Sequence, residues 1–323
     1  MPSRRHILAL AGATLARPAL AAWPDRPIRL IVPYAAGGNV DTVARLMQPR
    51  LTEKLGQPVV VENRTGAGGS IGAELVARAR PDGYTLLAGS NGPLTVNPVV
   101  QARLPYDPMR NFAPIGMAMQ VPLALMVQAH LGVVDVGALV AAAQAEPNRI
   151  GVGTAGVASS THMALALFMA ATGAPLLHVP YRGGGAAVPD FLAGNVPAVF
   201  VELSTALPVR AEGKGRILGI AAAHRLPALP DIPTLQEQGV RDFTAASYVG
   251  LLAPAGTPAE AMRRIEQALA AETANPEFRH RIAEMGGEVA SGELATPQGF
   301  AAFLREELAR CRRAAEIAGI KPE

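Results

Sequence analysis

The stretch IRLIVPYAAGGNVDTVARLMQPRLTEKL, residues 28–55, decides the fold class. It begins with an apolar run at 28–32 that is typical of a buried strand. It then passes through the glycine pair at 37–38 and continues as a helix over 41–55. The unit repeats, with a strand, a helix and a strand expected at 58–61, 70–80 and 84–88. Strands that alternate with helices favour a parallel sheet, with ligand sites at the carboxyl ends of the strands.

The same alternation resumes in the second half of the chain. The pattern predicts strands at 149–152, 177–179, 196–201 and 217–221, helices at 159–171 and 186–193, and C-terminal helices at 258–275, 276–285 and 297–317. Between the halves lie two apolar, β-like stretches, 113–128, which Pro122 breaks, and 245–253. Two such crossings would return the C-terminal helices to the first half. We therefore expect two hinged α/β lobes, residues 22–120 with 246–323 and residues 121–245.

The composition excludes several classes of protein. Half of the 323 residues are hydrophobic and 17% are charged, which rules out a disordered chain and suggests two domains. No apolar run approaches the roughly 18 residues that a membrane-spanning helix needs. The single cysteine, Cys311, cannot form an intramolecular disulfide. The absence of a basic run argues against a nucleic-acid partner.

The first 21 residues resemble an export signal. Arg4 and Arg5 precede the apolar run 7–15, and Ala19-Leu20-Ala21 offers a small-x-small cleavage site. The paired arginines fit a twin-arginine signal, and an ordinary secretory signal remains the alternative. Cleavage after Ala21 would remove three arginines and no acid, which brings the formal net charge from +3 to zero. We expect a mature protein that is soluble in the periplasm.

Three motifs that could carry other chemistry are weak. Residues 151–156 spell GxGxxG, but no acidic residue stands near position 171 to hold a ribose, so a glycine loop for an anion is favoured over a dinucleotide site. Residues 68–72 spell GxSxG, in which Ser70 is expected to cap a helix rather than to act as a nucleophile. His162 is expected to pack or to contact a helix terminus, with ligand contact as the alternative. The histidines have no metal-ligand spacing, and we expect neither metal nor cofactor.

Four loops rich in glycine and hydroxyl groups follow successive strands, two in each half. They are residues 34–38, 88–92, 153–161 and 180–185. Small side chains let backbone N–H groups face a ligand, and hydroxyl groups add directional donors. This pattern favours the binding of a carboxylate over catalysis.

Six runs, in order along the chain, resemble one known family. They are WPDRPIR (23–29), VPYAAGG (32–38), VENRTGAGG (61–69), PDGYTLL (81–87), HVPYRG (178–183) and GLLAPAGTP (250–258). The sequence resembles the Bug family, the extracytoplasmic solute receptors of tripartite tricarboxylate transporters. The resemblance covers essentially the whole mature chain.

The resemblance implies a type II periplasmic-binding-protein fold, in which two lobes close over a small carboxylated solute. Ligand contacts are implied for Tyr34, Ala36, Gly37, Gly38, Ser90 and Asn91 in the first lobe, and for Gly153, Thr154, Ser159, Ser160, Tyr181, Gly183 and Gly184 in the second. The family usually has Phe-Asp where this chain has Phe200-Val201-Glu202. The longer Glu202 would shift the pocket floor, and it could accept hydrogen bonds from an amino or amide group of the ligand.

The expected function is that of a monomeric periplasmic receptor, not an enzyme. It would capture a di- or tricarboxylate, an amino acid or an aromatic acid and deliver it to the large and small membrane subunits of such a transporter. One alternative is a sensory receptor of the same fold that presents its ligand to a membrane signalling protein. A hydrolase that uses Ser70 or Ser159 is the remaining class.

Overall fold

A computed structural model describes residues 23–157, 159–181 and 183–322, so the predicted export signal at 1–21 lies outside the described residues. The strands within these ranges are β1 Ile28–Val32, β2 Val59–Asn63, β3 Thr85–Gly89, β4 Phe112–Gln128, β5 Gly151–Thr154, β6 Leu177–Pro180, β7 Ala198–Glu202, β8 Gly215–Ile220, β9 Ala246–Pro254 and β10 Glu288–Val289. The α-helices are α1 Asn39–Leu55, α2 Ser70–Ala77, α3 Asn97–Val100, α4 Val136–Ala145, α5 Ser160–Thr172, α6 Gly184–Ala193, α7 Leu203–Ala211, α8 Ala259–Thr273, α9 Pro276–Glu284 and α10 Pro297–Ile317.

The strands form one curved sheet with two parallel parts. In the first half β2, β1 and β3 are parallel neighbours, and β9 and β4 follow in antiparallel pairing. In the second half β7, β5 and β6 are parallel neighbours, with β7 antiparallel to the end of β4. The order is β2-β1-β3-β9-β4-β7-β5-β6, and β8 and β10 also pair with β4. The strand–helix alternation of the sequence therefore predicts both parallel parts correctly.

The two halves meet where β4 and β9 run side by side. β4 pairs with β9 up to Pro122, and from Leu123 onward it pairs with β7 and β8. Pro122 lies opposite Ala246, the first residue of β9. Because proline has no backbone N–H, it fits the point at which the ladder changes partner. The predicted break at Pro122 is therefore wrong: the strand is continuous and only its partner changes.

The last helix, α10, contacts both halves of the molecule. Cys311 and Ala314 pack in one buried cluster with Val96 from the first half and Met163 of α5 from the second. Burial raises the pKa of the Cys311 thiol to about 12, so the thiol stays protonated, as expected for a residue that only packs. The C-terminal helices do return to the first half, and α10 also ties it to the second.

Local signals explain where the helices begin. α1 starts at Asn39, two residues earlier than predicted. It ends at Leu55, and the next residue, Gly56, has a φ of 73° that suits the left-handed C-cap position. Ser159 caps α5, because its hydroxyl accepts the amide hydrogen of His162 at 3.2 Å. Helices α4 and α7 were not predicted. The sequence of α7 contains Pro208, which on its own suggests the end of a helix.

Candidate ligand-binding site

A cavity of about 1080 Å³ opens between the two halves of the sheet. The loops that follow β1 and β3 bound it on one side, and the loops that follow β5, β6 and β7 bound it on the other. It has the size and the position at the carboxyl ends of the strands that are usual for ligand sites in α/β proteins. The predicted ligand residues that line it are Tyr34, Gly37, Gly38, Ser90, Asn91, Ser159, Ser160, Gly183 and Glu202.

Four other predicted residues lie outside the described cavity lining. Thr154 is fully buried, and its hydroxyl lies 2.7 Å from Nε2 of His178. The Tyr181 hydroxyl donates to Asp190 at 2.9 Å. Gly153 is buried inside β5, and Ala36 is an exposed residue of the loop after β1. A fifth predicted residue, Gly184, begins α6 between Gly183 and Gly185, which both line the cavity. For Thr154 and Tyr181 the physical reason is the same, since each side chain already has a partner within its own half. Ligand contact by these four residues and by Gly184 stays a prediction.

The loop after β1, residues 34–38, is held in place by Asp41, which is 2% exposed. Its carboxylate accepts hydrogen bonds from the Gly37 amide at 2.9 Å, from Arg45 Nε at 2.9 Å and from Asn63 Nδ2 at 2.8 Å. Asn63 Nδ2 also donates to the carbonyl oxygen of Tyr34 at 3.0 Å. Burial alone would raise the pKa of Asp41, but the bonds from Arg45, Gly37 and Asn63 outweigh it and lower the pKa to about 2.

This arrangement changes which backbone groups can meet a ligand. The amide of Gly37 is already used by Asp41, and the amide of Gly38 faces the carbonyl oxygen of Ala35 at 3.4 Å. The first amides of α1, at Asn39 and Val40, have no acceptor inside the helix, and both residues line the cavity. An anion in the cavity would therefore meet the start of α1 rather than the Gly37 amide. Sequence reasoning missed Asn39 and Val40, although they follow the glycine pair directly.

Tyr34 and Ser90 form a hydroxyl pair in the first half of the site. Ser90 Oγ donates to Tyr34 Oη at 3.1 Å. A Cβ atom at Gly92 would come within 2.3 Å of the same hydroxyl, so glycine is needed there for the tyrosine to fit. Burial raises the pKa of Tyr34, and the nearby carboxyl of Glu202, from the other half, raises it further. Groups of the two halves therefore influence each other across the cavity.

Asn91 lines the cavity, and its side chain is hydrogen-bonded to β9, one of the two strands that connect the halves. Its Nδ2 donates to the carbonyl oxygen of Ala246 at 3.0 Å, and its Oδ1 accepts from the Tyr248 amide at 3.2 Å. Both partners belong to β9. Asn91 thus fixes the loop after β3 to the strand that joins the halves, and its side-chain amide has one donor position left for other contacts.

The glycine loop after β5 is ordered by hydroxyl groups. Ser159 Oγ donates to the carbonyl oxygen of Gly156 at 2.7 Å, and Thr161 Oγ1 accepts from the Ala155 amide at 2.8 Å. Next to this loop the rings of His162 and His178 stack with centroids 3.8 Å apart. Burial, together with the His178 ring, lowers the pKa of His162 to about 4, so the ring is neutral at neutral pH. His162 therefore packs against a second ring, which is one of the roles predicted for it.

Glu202 ends β7 and precedes the first turn of α7. It lines the cavity together with Ser204 and Thr205, two hydroxyl residues that sequence reasoning missed. Burial raises the pKa of its carboxyl. In the described part of the lining Glu202 is the one residue with a carboxyl group, and no arginine or lysine is found there.

Ser70 has neither of the roles weighed for it. The N-cap position of α2 is Gly69, without a side-chain hydrogen bond, so the capping prediction is wrong. Ser70 Oγ instead accepts from Asn97 Nδ2 at 2.8 Å and donates to Gln101 Oε1 at 3.2 Å. These amide partners hold the hydroxyl but cannot activate it as a nucleophile, because neither is a base.

Two features are absent from the described residues as a whole. Over 23–157, 159–181 and 183–322, no set of three histidine, cysteine, aspartate or glutamate residues is placed to hold a metal ion. None of the helices in these ranges is long and apolar enough to cross a membrane.

Comparison with known proteins identifies the family. Residues 43–320 match the tripartite tricarboxylate transporter family receptor. The chain is 34% identical to BugT of Bordetella pertussis over 316 residues, which cover 94% of this chain and 95% of BugT. A solved structure from R. palustris with adipate superposes with a TM-score of 0.83 at 34% identity, covering 93% of this chain and all of that one. MatC from Rhodopseudomonas palustris, with bound malate, gives 0.78 at 30% identity, with 90% and 99% covered.

These similarities extend over nearly the full length of the chain and of its relatives. They confirm the resemblance to the Bug proteins and the type II periplasmic-binding-protein fold, with two α/β lobes joined by two crossings. The family consists of solute receptors, which decides against the hydrolase alternative. The chain therefore belongs to the tripartite tricarboxylate transporter receptor family, and it is a solute-binding receptor rather than an enzyme.

Proposed function

We propose that this receptor captures a small carboxylate in the cavity between its lobes and delivers it to the large and small membrane subunits of a tripartite tricarboxylate transporter. The observation that carries the proposal is the cavity itself, bounded by strand-end loops of both halves. Two relatives of similar structure contain dicarboxylates, adipate in one and malate in the other.

The lining supports a carboxylate as the ligand. The free amides at the start of α1 place partial positive charge at the cavity wall. The Ser160 hydroxyl adds a neutral donor from the second half, whereas the hydroxyl groups of Ser90 and Ser159 already donate within the protein. The nine predicted residues that line the cavity, together with Asn39 and Val40, form the proposed site.

The lobe boundaries of the proposal are residues 22–120 with 246–323 and residues 121–245. The change of strand partner at Pro122, opposite Ala246, supports a division at these points. Closure of the lobes over the ligand would follow from its higher affinity for the closed form than for the open form.

A thermal-shift and calorimetry screen tests the ligand class. Adipate, malate and other carboxylates should raise the melting temperature of the receptor, since a ligand at 100 times its Kd stabilises the native state by about 2.7 kcal/mol. The matched diols, such as 1,6-hexanediol for adipate, should have no effect. Stabilisation by the diols as well as the acids, or by no acid in the panel, would contradict the proposal.

Export and assembly complete the proposal. Residues 1–21 would direct the chain to the periplasm and be removed, and the mature protein would be a monomer. N-terminal sequencing of periplasmic protein should begin near Ala22. Replacing Arg4 and Arg5 by lysine should block export through the twin-arginine route, whereas unchanged export would indicate the general secretory route.

A further inference from the structure

Glu202 places a carboxyl group in a cavity that is otherwise suited to anions. It stands at the end of β7, opposite Leu123 of β4 in the strand register, and it lines the cavity. A carboxylate ligand would enter the same space. Two carboxylates that share a poorly hydrated site cannot both stay ionised, unless a cation lies between them. In the described part of the lining no such cation is found.

The groups packed around Glu202 leave it without an ionic partner in the described structure. β4 contributes Leu123, which is apolar, and the first turn of α7 contributes Ser204 and Thr205. The loop after β1 contributes Tyr34, whose raised pKa keeps its hydroxyl neutral. The start of α7 offers partial positive charge, and the Glu202 carboxyl accepts a hydrogen bond from its own backbone amide. Burial nevertheless dominates and raises the pKa of the Glu202 carboxyl, so its ionised form is more easily protonated when a second negative charge enters the cavity.

From this placement we propose that Glu202 takes up one proton when a carboxylate binds, so that its neutral acid donates a hydrogen bond to the ligand. The inference rests on the proposed function, which it deepens. It gives the receptor a ligand affinity that rises as pH falls. The complex would also carry one negative charge fewer than the free receptor and the free ligand together.

Between pH 6.5 and 8.5 the proposed proton uptake can be measured without protonation changes of the other groups at the cavity. Free aliphatic carboxylates, with a pKa near ~4.3, are fully ionised there. His162, whose pKa is about 4, and His178, whose pKa burial also lowers, remain neutral. Tyr34 remains neutral as well, because its pKa is raised. Among the described groups that face the cavity, Glu202 is then the one that can change charge.

Isothermal titration calorimetry with adipate and malate measures the proton directly. Titrations in buffers of different ionisation enthalpy should show uptake of up to about one proton per ligand, and the Kd should rise by up to about tenfold per pH unit. Glu202→Gln, which imitates the neutral acid, should bind with a Kd independent of pH and with no proton uptake. At pH 8.5 it should bind more tightly than the wild type. Glu202→Asp, which keeps an acid, should retain the uptake.

Two controls separate this role from a structural one. Glu288→Gln removes a carboxyl group of β10 that bonds to His224 outside the cavity, and it should leave the proton uptake unchanged. The melting temperature of ligand-free Glu202→Gln should be no lower than that of the wild type at pH 8, since a raised carboxyl pKa means that ionisation of Glu202 costs stability at high pH.

Three results would overturn the inference. The first is wild-type binding without proton uptake. The second is unchanged pH dependence in Glu202→Gln. The third is a large loss of affinity in Glu202→Gln at every pH, which would mean that an ionised Glu202 accepts a hydrogen bond from the ligand. Failure of every carboxylate to bind at any pH is a different result, because it would contradict the proposed function itself.

Discussion

The buried carboxylate of Asp41 should contribute measurably to stability, and the contribution should disappear in acid. Its three hydrogen bonds lower the pKa from the ordinary value of 3.8 to about 2. Since each pKa unit corresponds to ~1.4 kcal/mol, the ionised carboxylate stabilises the folded state by about 2 kcal/mol at neutral pH. Arg45 is half exposed, so salt should screen part of this energy.

The sign follows from the direction of the shift. The pKa of Asp41 is lower in the folded state, so its stabilisation is present above the unfolded pKa of 3.8 and is lost as the pH falls toward 2. At pH 3 about half of it, roughly 1 kcal/mol, should remain. Arg29 and Arg64 likewise lower the pKa of Glu62 to about 2, so protonation of Glu62 also reduces the stability of the protein over this pH range. The wild type and an Asp41 variant share the loss caused by Glu62, so it cancels when the two are compared.

Asp41→Asn therefore tests the reasoning by difference. Urea unfolding at low ionic strength should give a free energy of unfolding lower than that of the wild type by about 2 kcal/mol at pH 7 and by about 1 kcal/mol at pH 3. The ligand Kd should rise severalfold, because the loop that carries Gly37 and the start of α1 loses its anchor. A difference between the two proteins that is equal at pH 7 and pH 3 would refute the role of ionisation.

Three smaller changes test the loops. Gly37→Ala should lower the free energy of unfolding by about 1 kcal/mol, because φ of Gly37 is +81°. Gly38→Ala should change it little, because φ of Gly38 is −74°. Equal melting temperatures of the two variants would contradict this reasoning. Ser159→Ala removes the cap of α5 and should lower the free energy of unfolding by about 1 kcal/mol and weaken ligand binding. Gly185→Trp should hold the two lobes apart, so that small-angle scattering no longer shows the receptor becoming more compact when ligand binds. Gly185 is chosen over the neighbouring Gly183 because φ of Gly183 is +106°, where any side chain is strained.

Local signals in the sequence were sufficient for most of the fold. The apolar run of β1 and the helix of α10 have the predicted bounds, because their patterns are strong and their ends are marked by proline or glycine. The cap at Ser159 was predictable for the same reason, since its hydroxyl acts on the next turn of its own helix. Features that depend only on residues three or four positions apart in the sequence can be predicted without the tertiary structure.

Features that depend on distant partners could not be obtained this way. Pro122 suggests a broken strand, but in the folded chain it lies where β4 exchanges β9 for β7 and β8. Ser70 suggests a helix cap, but Asn97 and Gln101, about thirty residues further along the chain, take its hydroxyl. In each case the residue type was interpreted by its commonest local role, and a long-range contact decided otherwise.

The ligand site shows why its general place is easier to predict than its individual donors. Loops at the carboxyl ends of strands must gather at one edge, so the topology alone brings Tyr34, Ser159 and Glu202 to one cavity. Which N–H and O–H groups remain for a ligand depends on which ones the protein has already used. The Gly37 amide goes to Asp41 and the Thr154 hydroxyl lies against His178, while the amides of Asn39 and Val40 are left by the start of a helix. Recognition in this receptor is therefore set by the donors that folding leaves without partners, and these can be identified only after every internal hydrogen bond has been assigned.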